Sequence, residues 1–153
     1  MDTDLSELVR KAGKDKRIIE FQCPYIPKFY VKIAFASKFV LGQIREISKE
    51  IFYDARTRVR EEKLNDDKLR REYAKQIVID WRGLTVDSLK KILPSLEVEK
   101  DVDVSKEILY SAELTIAMLE VSLEFESWIL DIASNVENFV AIAEQKEKEK
   151  ENL

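Results

Sequence analysis

Residues 76–93, QIVIDWRGLTVDSLKKIL, decide how the middle of this chain folds. The stretch holds one of two tryptophans, Trp81, and one of three glycines, Gly83. Trp81 follows Ile77 by four residues, a spacing that predicts the last apolar anchor of a helix. Glycine adopts a left-handed backbone at little steric cost and often ends helices. We therefore predict that Trp81 and Gly83 are structural anchors.

Working outward, apolar residues at spacings of three and four predict about five helices. One stripe, from Val40 to Val59, predicts a single helix from Ser37 to about Lys63. The predicted N-caps of the helices are hydroxyl or amide side chains: Ser37, Asn65, Thr85, Ser105 and Ser122. The helix that Thr85 caps is expected to end before Pro94.

The period changes near the N-terminus, in residues 17–36. Phe29, Val31 and Ile33 alternate with more polar residues, as in a half-buried strand. Residues 18–21 are the candidate partner strand, joined through a loop that contains two prolines. The predicted fold class is therefore mainly α: a helical domain of about five helices with one short N-terminal β-hairpin or strand.

Composition argues against most enzyme classes. The 153 residues include no histidine and one cysteine, Cys23, which excludes Ser-His and Cys-His catalysis and thiolate zinc sites. The three glycines are isolated, so there is no phosphate-binding loop. We predict a protein that is not an enzyme, with no catalytic residue, cofactor or metal. A metal site built only from carboxylates remains open as the least favoured reading.

Charge is unevenly distributed along the chain. Residues 1–91 carry 21 basic and 15 acidic side chains, net +6, whereas residues 92–153 carry 5 and 15, net −10. Residues 56–75 form a basic segment, which raises the alternative of a helical nucleic-acid-associated or regulatory protein. Acidic residues interrupt this segment, however, and phosphate binding favours a patch of one sign. Nucleic acid is therefore an unfavoured partner.

No apolar run approaches the ~18 residues that a membrane span needs, and the first residues have no apolar signal-peptide core. We expect no membrane contact. Residues 141–153, AIAEQKEKEKENL, end in a charged run without an apolar face and are predicted to be a C-terminal tail. The predicted single domain covers residues 1–140.

The densest aromatic stripe lies near the C-terminal end. Phe125, Trp128, Ile129 and Phe139 recur at near-helical spacing. Such a stripe either fills the core or lines a groove for a partner helix, and both readings stay open here. These four residues are the candidate partner-binding set.

The order of several short motifs resembles that of the tail assembly chaperones of long-tailed bacteriophages and prophages. The matching residues, over about positions 23–140, are Phe29, Val31 and Ile33, then Asp80, Trp81, Gly83 and Leu84, then Phe125, Trp128, Ile129, Asn138 and Phe139. Each motif alone is weak, and the resemblance rests on their order and spacing.

The resemblance implies a function that the residues alone do not. Proteins of that family bind the tape measure protein in the host cell cytoplasm, keep it soluble and promote assembly of the tail tube protein around it. They are absent from the mature virion. The resemblance thus implies a non-enzymatic chaperone with those two partners, and homo-oligomerisation is left open.

Overall fold

The computed structural model describes residues 17–140 together with Leu5. Within them the chain forms five strands in two antiparallel sheets as well as helices, so the prediction of a mainly α fold is wrong and the fold is mixed α/β. The elements in chain order are β1 Ile18–Gln22, β2 Tyr30–Ala34, α1 Lys38–Ile47, β3 Lys49–Asp54, β4 Val59–Leu64, α2 Asp66–Gln76, β5 Val78–Arg82, α3 Val86–Leu89, α4 Ala112–Val121 and α5 Leu123–Ser134. A further helical segment covers 136–140.

The larger sheet has the order β1-β2-β5 and confirms the predicted N-terminal hairpin. Val31 and Ile33 of β2 are fully buried on the face that the helices cover. On the other face Arg82 donates to Glu20 at 2.8–3.1 Å and lies 4.1 Å above the ring of Tyr30. The sheet therefore has one apolar and one polar face, as alternation along β2 predicts.

Trp81 belongs to β5, so its predicted place at the end of a helix is wrong. The helix α2 ends at Gln76, and the next residues pair with β2. The register shifts between Lys32 and Ile33, so that Val31 faces Trp81 while Ile33 faces Val78. This irregularity places Val78 and Trp81, three residues apart, on the same buried face. The buried residues of β5 are consequently spaced like those on one face of a helix.

The predicted long helix from Ser37 to Lys63 is also wrong. Helix α1 begins after Ser37, whose Oγ accepts from the Val40 amide, but it ends at Ile47. Residues 49–64 then form a two-stranded hairpin, β3 and β4, which we call the hairpin arm. Its turn holds Arg58 at a φ of 55°, a conformation usually given to glycine or asparagine. The turn thus has no glycine or asparagine to mark it, and its signal in the sequence is Asp54, whose Oδ1 accepts from the Arg56 amide at 2.8 Å.

Most predicted helix N-caps are correct, whereas the predicted helix lengths are not. Asn65, Thr85 and Ser122 each accept a hydrogen bond from the amide three residues on, which confirms them as N-caps of α2, α3 and α5. Ser105 caps no helix: its side chain bonds to Asp103, and Ser111 caps α4 instead.

A single apolar cluster joins the sheet and the helices. It includes residues from β2, α1, α2, β5, α4, α5 and the 136–140 segment, and its largest fully buried side chains include Phe29, Phe125 and Phe139. The hairpin arm contributes nothing to this cluster. The beginning of the predicted domain 1–140, before residue 17 and apart from Leu5, lies outside the described residues, and so does the whole predicted tail at 141–153.

The Cys23 thiol is buried, and we expect it to be unreactive in the folded protein. The side chain is 1% exposed, and loss of solvation raises its pKa above the ordinary 9.0. A folded-state pKa above the unfolded one means that the contribution to stability is complete below pH 9 and is lost as pH rises through the folded value. We expect no labelling by a thiol reagent near neutral pH until denaturant is added. Rapid labelling of the native protein would contradict this.

Candidate partner-binding groove

Helix α1 presents an outer face that the core does not use. Val40 and Ile44 point into the core, whereas Phe39 and Ile47 are 49% and 57% exposed. Phe39, Gln43 and Ile47 follow at intervals of four and so lie along one side of the helix. Two large apolar side chains therefore stand in solvent one helical turn either side of Gln43.

Gly42 gives this face its shape. A Cβ built at Gly42 would meet no atom within 4 Å, so there is open space above the helix at this position. The resulting open groove has a volume of about 640 Å³ and is lined by Lys38, Phe39, Gly42, Gln43, Glu46, Ile47 and Gln76. A glycine floor between two apolar flanks is a shape that accepts side chains of an amphipathic helix.

Charges stand at both ends of the groove. Lys38 lies at the start of α1, and Glu46 near its end accepts a hydrogen bond from Lys49 Nζ at 2.7 Å. This contact with Glu46 raises the pKa of Lys49. Each of the two apolar side chains of the groove thus has a charged residue beside it, and protein interfaces commonly combine apolar and polar groups.

The four residues predicted from the aromatic stripe lie mostly inside the molecule. Phe125, Ile129 and Phe139 are at most 1% exposed, and Trp128 is half-buried against Phe125 at a ring distance of 6.2 Å. Phe139 contacts Phe21 and Phe35, away from Trp128. A partner binding to this conformation can reach Trp128 alone. Partner binding by this set stays a prediction.

The two predicted anchors are close together in the structure. Trp81 is 6% exposed and its Nε1 donates to the carbonyl of Ile108 at 3.0 Å. Gly83 has a φ of 78°, the left-handed conformation that was predicted, although it follows a strand and not a helix. Its amide donates to Glu107 at 2.8 Å.

The basic segment 56–75 is divided between the hairpin arm and α2. Several of its cations already have carboxylate partners: Lys63 with Glu61, Lys68 with Glu50, and Arg70 with Asp67 and Glu126. Neutralised cations release fewer counterions from a phosphate backbone and add little to affinity. That nucleic acid is an unfavoured partner stays a prediction.

Residues 17–140 contain no group of three or more Cys, Asp or Glu side chains placed to hold a metal ion. Across the same part of the chain, no helix has both the length and the apolar character to cross a membrane.

The groove itself was missed in the sequence. Ile47 belongs to the one apolar stripe of the predicted helix from Ser37 to about Lys63, and Phe39 has no predicted role. One signal was available: Gly42 is a poor helix former placed in the interior of a predicted helix. A glycine inside a helix can have a packing or functional reason.

Comparison with known protein families gives one finding. Residues 35–151 match the model of the family described as YdaY prophage protein. This range starts at the end of β2 and includes the groove and the hairpin arm. No curated protein and no solved structure matches the chain.

Proposed function

We propose that this chain, which belongs to the YdaY prophage protein family, is a prophage tail assembly chaperone that binds the tape measure protein through the α1 groove. In this role it is not an enzyme. It keeps the tape measure protein soluble in the host cell cytoplasm, promotes assembly of the tail tube protein, and leaves before the virion matures. The observation that carries the proposal is the open apolar groove on α1.

The resemblance to tail assembly chaperones supports the proposal through the fold. Val31 and Trp81, from two separate motifs, are direct cross-strand partners, and Phe29 lies 6.1 Å from Trp81. Phe125 from the third motif stacks on Phe29 at 6.5 Å. Residues from the three motifs, which are far apart in sequence, thus meet in one core.

The groove supports the proposal through its chemistry. A tape measure chain is long and helical, and its apolar face is unprotected until tube subunits surround it. The exposed Phe39 and Ile47 offer apolar contact, and the space above Gly42 admits a side chain from the client helix. Many copies along one client make weak individual contacts sufficient.

Gly42→Ala should leave the groove open and stabilise the protein. Gly42 lies in the interior of α1 with free space around its Cβ position, so alanine adds helix propensity without a clash. We expect the free energy of unfolding to rise by about 0.5–1 kcal/mol. Urea denaturation measures it; an unchanged or lower value would contradict the open geometry at Gly42.

Gly42→Trp fills the same space and tests the function. We expect the parent and Gly42→Ala to keep a co-expressed tape measure protein of the same prophage soluble, and Gly42→Trp to lose most of that soluble fraction while remaining folded. Circular dichroism and thermal melting establish folding of each variant first. The alanine variant is the matched control, since it changes the same residue but leaves the groove open.

Two other results would overturn parts of the proposal. A parent chain that fails to solubilise the tape measure protein would reject the chaperone function. If folded Gly42→Trp works as well as the parent, the groove is not the client site. A selective loss in folded Trp128→Ala would then place the client on α5, in agreement with the prediction from the aromatic stripe.

A further inference from the structure

The two edges of the hairpin arm differ in chemistry. The β4 edge carries Arg60, Glu61, Glu62 and Lys63, and charged edges resist pairing with other strands. The β3 edge carries Ile51, Phe52 and Tyr53 in succession, which are 70%, 48% and 62% exposed. Within the described residues this sheet has no third strand, so the apolar edge is open. An open apolar edge of this kind aggregates unless something pairs with it.

The hydrogen-bond pattern shows which backbone groups the open edge presents. The Asn65 amide donates to the Ser48 carbonyl at 2.8 Å, immediately below the paired strands. Bonded and non-bonded pairs alternate along an antiparallel ladder, so Phe52 and Glu61 form a bonded pair whereas Ile51 and Glu62 do not. The amide and carbonyl groups of Ile51 and Tyr53 therefore point away from β4.

We propose that the β3 edge pairs with the β3 edge of a second copy of this chain, antiparallel and about a two-fold axis. Bonded pairs across the axis must join residues whose backbone groups both point outward, and in the register that we propose Ile51 pairs with Tyr53 of the second copy. Phe52 then lies opposite Phe52 of the second copy in a non-bonded pair, where side chains are closest. The most exposed apolar residues of the arm are covered by this pairing.

Each end of the paired segment brings two carboxylates together, and a lysine lies beside them. The register places Asp54 opposite Glu50 of the second copy. Glu50 is already bound by Lys68, whose Nζ lies 2.7 Å from Glu50 Oε1, and the Lys68 side chain is 48% exposed. An ammonium group has three donors, so Lys68 of one copy can serve both Glu50 and the incoming Asp54. One cation thus offsets two carboxylates at each end.

The competing register is less favourable. Placing Ile51 opposite Ile51 also satisfies the outward backbone groups, but it sets Phe52 against Glu50 and Lys49 against Tyr53. That arrangement leaves the aromatic rings without apolar partners across the axis. In the proposed register the outer strands are the two charged β4 edges, so pairing stops at two copies.

A charge exchange at Phe52 tests the register. Because Phe52 lies opposite itself, Phe52→Glu and Phe52→Lys each place like charges together, and each variant alone should be monomeric. Mixing the two variants should restore a dimer that contains one copy of each. Light scattering after size-exclusion chromatography should show the parent at twice the chain mass, each variant at the chain mass, and the mixture at twice the chain mass.

Glu61→Lys is the matched control. Glu61 lies directly opposite Phe52 within the arm, on the same face of the sheet. It belongs to β4, however, the strand whose outer edge the proposal leaves unpaired. This variant should remain dimeric. In addition, Phe52→Cys should form an intermolecular disulfide under mild oxidation, since the native Cys23 is buried.

Several results would overturn the proposal. A parent that stays monomeric across a concentration series, a dimer that survives Phe52→Glu, or a mixture that stays monomeric would each reject this pairing. A dimer lost in Glu61→Lys but kept in Phe52→Glu would assign the interface to β4. Salt-sensitive binding of duplex DNA by a monomer that Phe52→Glu does not alter would assign the arm to nucleic acid instead.

Discussion

Gly83→Ala should unfold this protein or come close to it. At a φ of 78° any side chain is strained, and a Cβ at this position would lie 1.8 Å from the carbonyl oxygen of Lys28. The obstacle is backbone at the end of the loop before β2, so relief requires the β2–β5 end of the sheet to separate. We expect a loss of about 4 kcal/mol or more in the free energy of unfolding, among the largest effects of single substitutions.

Gly42→Ala provides the control for that measurement. It is the same substitution in the same chain, and its expected effect has the opposite sign because space is free at Gly42 and absent at Gly83. Urea unfolding of both variants beside the parent separates the two cases. A Gly83→Ala variant that unfolds at the parent's midpoint would show that Lys28 and Gly83 do not approach each other in solution.

Trp81→Ala should have the second largest effect, about 3–5 kcal/mol. The indole is 6% exposed and makes edge-to-face contacts with Phe29 at 6.1 Å and Tyr110 at 5.0 Å. It also donates to the Ile108 carbonyl, which fixes the long connection between α3 and α4 against the sheet. Removing the ring leaves a cavity and takes the donor from that carbonyl.

Trp81→Phe separates packing from hydrogen bonding. Phenylalanine keeps much of the apolar contact but cannot donate to Ile108, so a smaller loss of about 1–3 kcal/mol is expected. Trp128→Ala is a second comparison, because Trp128 is only half-buried and should cost less than Trp81→Ala. Equal melting temperatures for parent and Trp81→Ala would show that Trp81 is not a core residue and would reopen a binding role for it.

The groove and the hairpin arm differ in how much the sequence reveals about them. At Gly42 the residue type itself marks an unusual place, because glycine weakens a helix interior without a local reason. In the hairpin arm Ile51 and Val59 stand at helix-like spacing from Ile47, and this concealed a change of structure at Ser48. Ser48 is buried, and its hydroxyl donates to the Ile44 carbonyl at 2.6 Å at the end of α1.

The sequence by itself determined the features that depend on neighbouring residues. The N-caps Ser37, Asn65, Thr85 and Ser122 follow from a side-chain oxygen that reaches an amide three residues away. The alternation along β2 likewise predicted its buried face. The left-handed backbone at Gly83 was also predictable, since glycine alone reaches that conformation at no steric cost.

Only the tertiary structure decided where helices stop and which strands pair. Residues 77–82 have apolar spacing that suits a helix, and they become a strand because β2 offers an edge and a register shift aligns Val78 with Trp81 on the buried face. The partner strand lies more than forty residues earlier, so no local pattern contains this information. The same holds for Phe125, Ile129 and Phe139, whose burial depends on the distant side chains of β1, β2 and the loop before it, and not on their own spacing.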